Sequence, residues 1–435
     1  MLIHKNPKPD QKPNVLILLT DQQRHNAVGY VNPRVYTPNI DRLCGQSVNC
    51  PQTIVQSPQC QPSRASLLTS KYPNTLKMWW NDISLDRKER TLGNLLRHEG
   101  GYETGYFGKM HIDGTGSHTD RANHFGFSKS FLYEDWASFN NRTLDSPKKR
   151  DNPVYAEFHK AMEKEPWIGK FSSRELHHED VITTSAINFI KSLDGSQPYL
   201  CVVSYNGPHP PYAAPPPFST MYDPASFDVP DKMGRTYNGT LMTPDLWRDL
   251  KSQYYGCISW IDDNIGRLLD FVDDNTIIIF TSDHGDILGD HGLFSKGIYA
   301  FEGNVRVPLL MKFPGHTATT YSHTVQSLDI VPTILSAVGV KRERLMQGKD
   351  LIGSLWSNNK VNNMAFSCIG PNERLRMVRT PEFKYWWFNG AETLFDLRKD
   401  PGEHKNISST HKDALSMMRL YLIEAMVKSE EAMLA

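Results

Sequence analysis

The strongest constraint on the fold is a repeated alternation of short, continuous apolar runs with longer amphipathic segments. "NVLILLT" (14–20) and "NTIIIFTS" (275–282) carry no polar alternation and are rich in β-branched residues, the pattern of strands buried on both faces. "YETGYFGK" (102–109), "PYLCVVSYN" (198–206) and "VPLLMKFPG" (307–315) read as further strands. "TPNIDRLCGQS", "EDVITTSAINFIKSL", residues 244–273 and "QSLDIVPTILSAVGV" read as helices between them. Strand and helix in turn imply an α/β fold: a large mixed, mostly parallel sheet sandwiched by helices and linked by right-handed crossovers. From about residue 360 the texture changes. "NNMAFSCIG", "RLRMVRT", "FKYWWF" and "TLFDL" are short strands with turns between them, followed by the helical "KDALSMMRLYLIEAMVKSEEAML". The expected organisation is a catalytic α/β domain over residues 1–355 and a C-terminal subdomain over 356–435, made of a small antiparallel sheet and a terminal helix. Residues 112–175 are polar and irregular and read as an insertion over one end of the sheet.

Charge narrows the function classes. Lys+Arg and Asp+Glu both total 48, so no basic field argues for nucleic acid or an anionic membrane. The apolar runs are too short to span a bilayer. "MLIHKNPKPDQKPN" lacks the apolar core of a signal peptide, so the chain as read stays in the cytoplasm, and is periplasmic or secreted if a leader was removed. The six cysteines contain no C-x-x-C pair, which disfavours zinc-ribbon and dithiol redox chemistry.

Polar residues recur just after the carboxyl ends of the expected strands, the edge where open α/β sheets bind ligands. Asp21 and Gln22 follow the first strand, Lys109 and His111 another, His209 a third, and Asp283, His284, Asp286 and Lys296 a fourth. Asp21, Gln22, Asp283 and His284 suit a divalent cation, and Arg64, Lys109, His111, His209 and Lys296 a multivalent anion held beside it. Such a set lacks only a nucleophile. "SPQCQPSRASLLTS" (57–70) supplies a candidate in Cys60, read as lying just before a helix running from Ser63 to Ser70.

That stretch resembles the C-x-P-S-R…L-L-T-G signature of type I sulfatases in the alkaline phosphatase superfamily. "GYFGKMHI", "GPHPPY", "TSDHGDILGDHGLFSKG" and "LFDLRKDPGEHKNIS" are similar to that family in the same order, so the resemblance spans about residues 14 to 410. It implies that a maturation enzyme oxidises Cys60 to Cα-formylglycine (3-oxoalanine), whose hydrate has two hydroxyls. One attacks sulfur; the other, deprotonated, lets the enzyme-bound sulfate leave. It further implies that Arg64 and Lys109 support the nucleophile, that His111 is the base, and that His209 and Lys296 bind the sulfate. The metal set is Asp21, Gln22, Asp283 and His284. Gln22 and His284 depart from the Asp-Asp and Asp-Asn pairs of many members, so calcium is the first expectation and manganese the alternative. The expected activity is hydrolysis of a sulfate monoester on a carbohydrate, with a phosphonate monoester or phosphodiester as the rival substrate. The partners are thus a sulfated small molecule or glycan and the maturation enzyme, with oligomerisation left open. Trp79 and Trp80 are candidate sugar-stacking residues, and His118, Arg121 and His124 offer polar contacts after the base.

Overall fold

The computed structural model describes residues 12–113, 121–133, 177–230, 234, 241–371 and 375–431. The strands in chain order are β1 (Asn14–Thr20), β2 (Val48–Asn49), β3 (Thr53–Ile54), β4 (Glu103–Gly108), β5 (Lys129–Leu132), β6 (Tyr199–Ser204), β7 (Thr276–Ser282), β8 (Leu309–Lys312), β9 (Thr319–Thr320) and β10 (Val325–Gln326). Eight of them form one sheet in the order β5-β4-β6-β1-β7-β8-β2-β9, and β3 pairs separately with β10. The five strands from β5 to β7 are parallel, whereas β8 runs antiparallel to β7. The apolar runs occupy the centre: Val15 to Leu19 and Ile277 to Phe280 are buried on both faces. One face packs beneath helices α1 (Pro38–Cys44), α3 (His178–Ser192) and α4 (Pro244–Leu269), the other beneath α2 (Cys60–Thr69) and α5 (Ile330–Ala337).

The C-terminal strands β11 (Ala365–Ile369), β12 (Leu375–Arg379), β13 (Phe383–Phe388) and β14 (Ala391–Asp396) form the expected antiparallel sheet. Helix α6 (Lys412–Glu431) packs Leu415, Met418, Leu422 and Ala425 into a core shared with that sheet and with Tyr72 and Leu328. A buried ionic cluster also ties the sheet to the main body. Glu302 receives Arg379 at 3.0 Å and Lys384 at 2.6 Å, and Lys384 also reaches Glu403 at 2.7 Å.

Two expectations need correction. Helix α2 begins at Cys60, not Ser63, and ends at Thr69, with Ser70 in the left-handed conformation that closes it. Pro62 therefore sits at the third helical position, where no intrahelical bond is asked of its nitrogen. All ten residues of α2 are buried. Within the supposed insertion, Lys129–Leu132 pairs parallel with β4 as an edge strand of the main sheet. Its exposed Lys129 and Ser130 break the apolar pattern, as suits an unprotected edge. Most of the remaining insertion lies outside the described residues.

At Gly108 the chain leaves β4 with φ 109°. A Cβ there would meet the Ser204 carbonyl oxygen at 1.9 Å. Only glycine lets the backbone turn this closely against β6, and the turn delivers Lys109 to the sheet edge. Gly108→Ala is expected to cost about 2–3 kcal/mol. The check is urea unfolding, where the midpoint should fall at an unchanged slope; an unaltered midpoint would contradict this account.

Candidate active site

Four adjacent parallel strands, β4, β6, β1 and β7, end at one place, and Arg64 of α2 sits beneath their ends with no exposed surface. Its Nε donates to Asp283 Oδ2 at 2.7 Å, and Nη2 lies 3.1 Å from Asp21 Oδ2. Its Nη1 donates to the Lys109 carbonyl at 2.6 Å and to Ser204 Oγ at 2.8 Å. Lys109 Nζ pairs with Asp21 Oδ2 at 2.5 Å. Burial and the Cys60 sulfur oppose ionisation of Asp21, but Lys109, His209 and Arg64 outweigh them and hold its carboxyl well below the usual range.

Cys60 is 1% exposed and stands at the focus of the set. Its Sγ is 2.6 Å from Lys296 Nζ, 3.2 Å from His284 Nε2, 3.7 Å from Asp21 Oδ1 and 4.0 Å from Lys109 Nζ. His111 and His209 also interact with it. Burial alone would raise the thiol; Lys109, Lys296 and His284 bring it well below its ordinary range. Burial, followed by the Lys296 and Lys109 charges, lowers His209 below its ordinary range. Its Nδ1 lies 2.6 Å from the Pro210 carbonyl. His111 has φ 47°, a left-handed turn that brings the chain back toward the sheet edge.

His284 Nδ1 is 2.9 Å from the Gly285 carbonyl, which accepts its proton and leaves Nε2 facing Cys60, Asp21 and Asp283. Burial disfavours the charged ring, but Asp283 raises it overall. One atom each from Asp21, Cys60, Asp283 and His284 lies within 4.8 Å of the others. Gln22 joins them through its backbone N–H, 3.0 Å from Asp283 Oδ1, while its side-chain Oε1 is buried without a donor among the described residues. Two carboxylates, an imidazole nitrogen and an uncommitted amide oxygen fit a divalent cation.

The polar residues singled out at the sheet edge thus converge on Cys60. The contacts given for Trp79, Arg121 and His124, among the described candidates for substrate contact, are made outside this cluster. Trp79 is half-buried, accepts the Gly370 N–H at its carbonyl (3.0 Å), and lines a groove of about 890 Å³ with Arg376, Trp387 and Arg419. Trp80 is 39% exposed. The next residue, Asn81, accepts the Gln61 N–H at 3.1 Å, so the Trp pair bridges the start of α2 and the C-terminal sheet. Arg121 is buried with its Nε 3.7 Å from Asp113, and His124 Nε2 is 2.7 Å from the Arg87 carbonyl. His118 lies outside the described residues. Ser204, Asp286 and Glu179 were given no role by the sequence reading. Glu179 accepts the Asn206 and Gly207 N–H groups at 3.3 and 2.6 Å, holding the turn that leads to His209. Nothing in the local pattern of α3 marks it for that task.

Fold and site together define a hydrolase of the alkaline phosphatase superfamily. A family model described as Sulfatase matches residues 13–340, and one for the C-terminal part of N-sulphoglucosamine sulphohydrolase matches 289–429. The ulvan-active sulfatase of Formosa agariphila is 31% identical over 420 residues, covering 91% of this chain and 77% of that protein. The N-acetylglucosamine-6-O-sulfatase of Bacteroides thetaiotaomicron is 22% identical, covering 92% and 84%. The phosphonate monoester hydrolase of Agrobacterium radiobacter shares the fold, with a TM-score of 0.79 at 23% identity over 97% of this chain and 96% of that one. The chain belongs to the sulfatase family and is a sulfuric ester hydrolase.

Arg64→Met would leave Asp21 and Asp283 buried without their shared cation. A loss of about 3–5 kcal/mol is expected in denaturant unfolding. Adding Asp283→Asn should recover part of it by removing one of the stranded charges; no recovery would mean that Arg64 acts through packing alone.

Proposed function

We propose that the protein hydrolyses a sulfate monoester on a carbohydrate at Cys60. The observation that carries this reading is the buried Cys60 side chain among Lys296, His284, Asp21 and Lys109. A structural thiol has no use for such surroundings. As formylglycine, residue 60 would supply a hydrated aldehyde, one hydroxyl to attack sulfur and a second to release the product. A divalent cation, calcium or manganese, held by Asp21, Gln22, Asp283 and His284, would supply positive charge to the sulfuryl oxygens and the nucleophile.

The remaining work falls to the protein's own groups. Arg64 and Lys109 neutralise the carboxylates and fix them beside residue 60. Lys296 and His209 bind sulfuryl oxygens, and whichever of them carries a proton facing the substrate delivers it to the departing sugar oxygen. His111, which interacts with residue 60, takes the proton whose removal frees sulfate. The carbohydrate assignment is supported by the sugar named for the relative from Bacteroides thetaiotaomicron and by the half-exposed Trp79–Trp80 pair beside the start of α2.

Protein made with a maturation system is expected to yield a residue-60 peptide lighter than its cysteine form, unreactive to thiol alkylation and reactive to carbonyl reagents. Cys60→Ala should lower kcat by on the order of 10⁴–10⁶-fold. Full activity with a fully alkylatable Cys60 would overturn this chemistry.

Substrate class is tested separately, by sulfate release from a panel of sulfated mono- and oligosaccharides set against choline sulfate, nitrophenyl sulfate, a phosphonate monoester and a phosphodiester. The highest kcat/KM is expected on a saccharide. A clear preference for simple sulfate esters would remove the carbohydrate assignment, and one for phosphorus esters would remove the sulfatase reading of this site.

A further inference from the structure

An amide can turn either end toward a cation, but only its oxygen is a ligand. Gln22 is fully buried, and its backbone is fixed in the left-handed region, φ 71°. Its N–H donates to Asp283 Oδ1, and its carbonyl accepts from the Tyr254 hydroxyl at 2.8 Å. The side chain has one ambivalent neighbour and one decisive neighbour. Nε2 lies 3.0 Å from Ser295 Oγ, a hydroxyl that would accept or donate. It also lies 2.6 Å from Asp286 Oδ2, and a carboxylate oxygen only accepts. The nitrogen end is therefore the end that faces Asp286.

Asp286 is itself held firmly. Tyr212 donates to the same Oδ2 at 2.6 Å, and the Leu288 N–H to Oδ1 at 2.7 Å. Burial, and after it the Asp286 charge, push the Tyr212 hydroxyl well up, so it stays a donor. With its nitrogen committed, the Gln22 amide is left with a buried oxygen that meets no donor among the described residues. Such an orphan costs about 1–3 kcal/mol unless something electropositive meets it.

We propose that Asp286 is a positioning residue for cation binding: by holding the Gln22 amide nitrogen, it commits Gln22 Oε1 to the cation set of Asp21, Asp283 and His284. The inference rests on the metal reading of that set. It also gives a physical reason for an amide at position 22, since a carboxylate there would face the Asp286 carboxylate, whereas an amide bridges an anion and a cation.

The test is calorimetric titration of Ca²⁺ and Mn²⁺ into chelator-stripped full-length protein, with the Tm of the metal-free form as the check on folding. In D286N the remaining oxygen stays with the Leu288 N–H and the new amino group turns the Gln22 amide over. Affinity should fall about 10- to 100-fold with the metal-free Tm little changed. Q22E alone should also weaken binding, by opposing two carboxylates, while D286N/Q22E restores a donor facing an acceptor and recovers most of the loss. Binding by D286N within about twofold of wild type, or losses that add in the double variant, would overturn the proposal. If D286N does not fold, D286N/Q22E against Q22E decides: tighter binding by the pair supports it, and equal or weaker binding overturns it. Wild-type protein that takes up neither ion would remove the metal reading itself, a failure distinct from that of Asp286.

Discussion

The site is assembled around one guanidinium. Arg64 reaches Asp21 after β1, Asp283 after β7, the Lys109 carbonyl after β4 and the Ser204 hydroxyl of β6. Four neighbouring strands are thereby registered at their ends by a single planar fork, which a flexible ammonium could not reproduce. Without it, two carboxylates packed this closely in a dry interior would repel and take up protons. With it, Asp21 is held well below the usual carboxylate range next to the reacting group, and Lys109 adds a second positive charge on the same oxygen of Asp21. Close packing of α2 makes this arrangement rigid. Every residue of the helix is buried, so neither Arg64 nor Cys60 has space to swing away.

Much of this was legible in the sequence because its signals are short and local. Apolar runs gave the central strands, and the polar residues after them had to meet, since parallel strands bring their carboxyl ends to one edge. The antiparallel C-terminal sheet was legible from turn spacing. The start of α2 was misread because Pro62 is compatible with several early helical positions, and burial of Gln61, Ser63 and Ser66 carries no sequence mark. The strand β5 was missed because an edge strand with Lys129 and Ser130 outward has no apolar run to announce it.

The direction of the Gln22 amide was beyond any local reading. It depends on Asp286, 264 residues away in the chain, and on Tyr212, itself 74 residues from Asp286. The ionic cluster of Glu302, Arg379, Lys384 and Glu403 was unreadable for the same reason. Each member looks like an ordinary solvated charge until the two sheets are packed together.

The burial of Cys60 sets an order of events. With 1% of its surface exposed, the side chain offers no purchase to another protein once the sheet edge has closed. Any enzyme that rewrites this residue must reach it on an open chain. His284, which covers Cys60, follows it by 224 residues. At about 5–20 residues per second of synthesis, the interval between the two leaving the ribosome is about 10–45 s. Within that interval α2 has neither β7 nor Lys296 to fold against. A late-arriving strand thus acts as a clock: the distance in sequence between the thiol and its cover sets how long the thiol stays accessible.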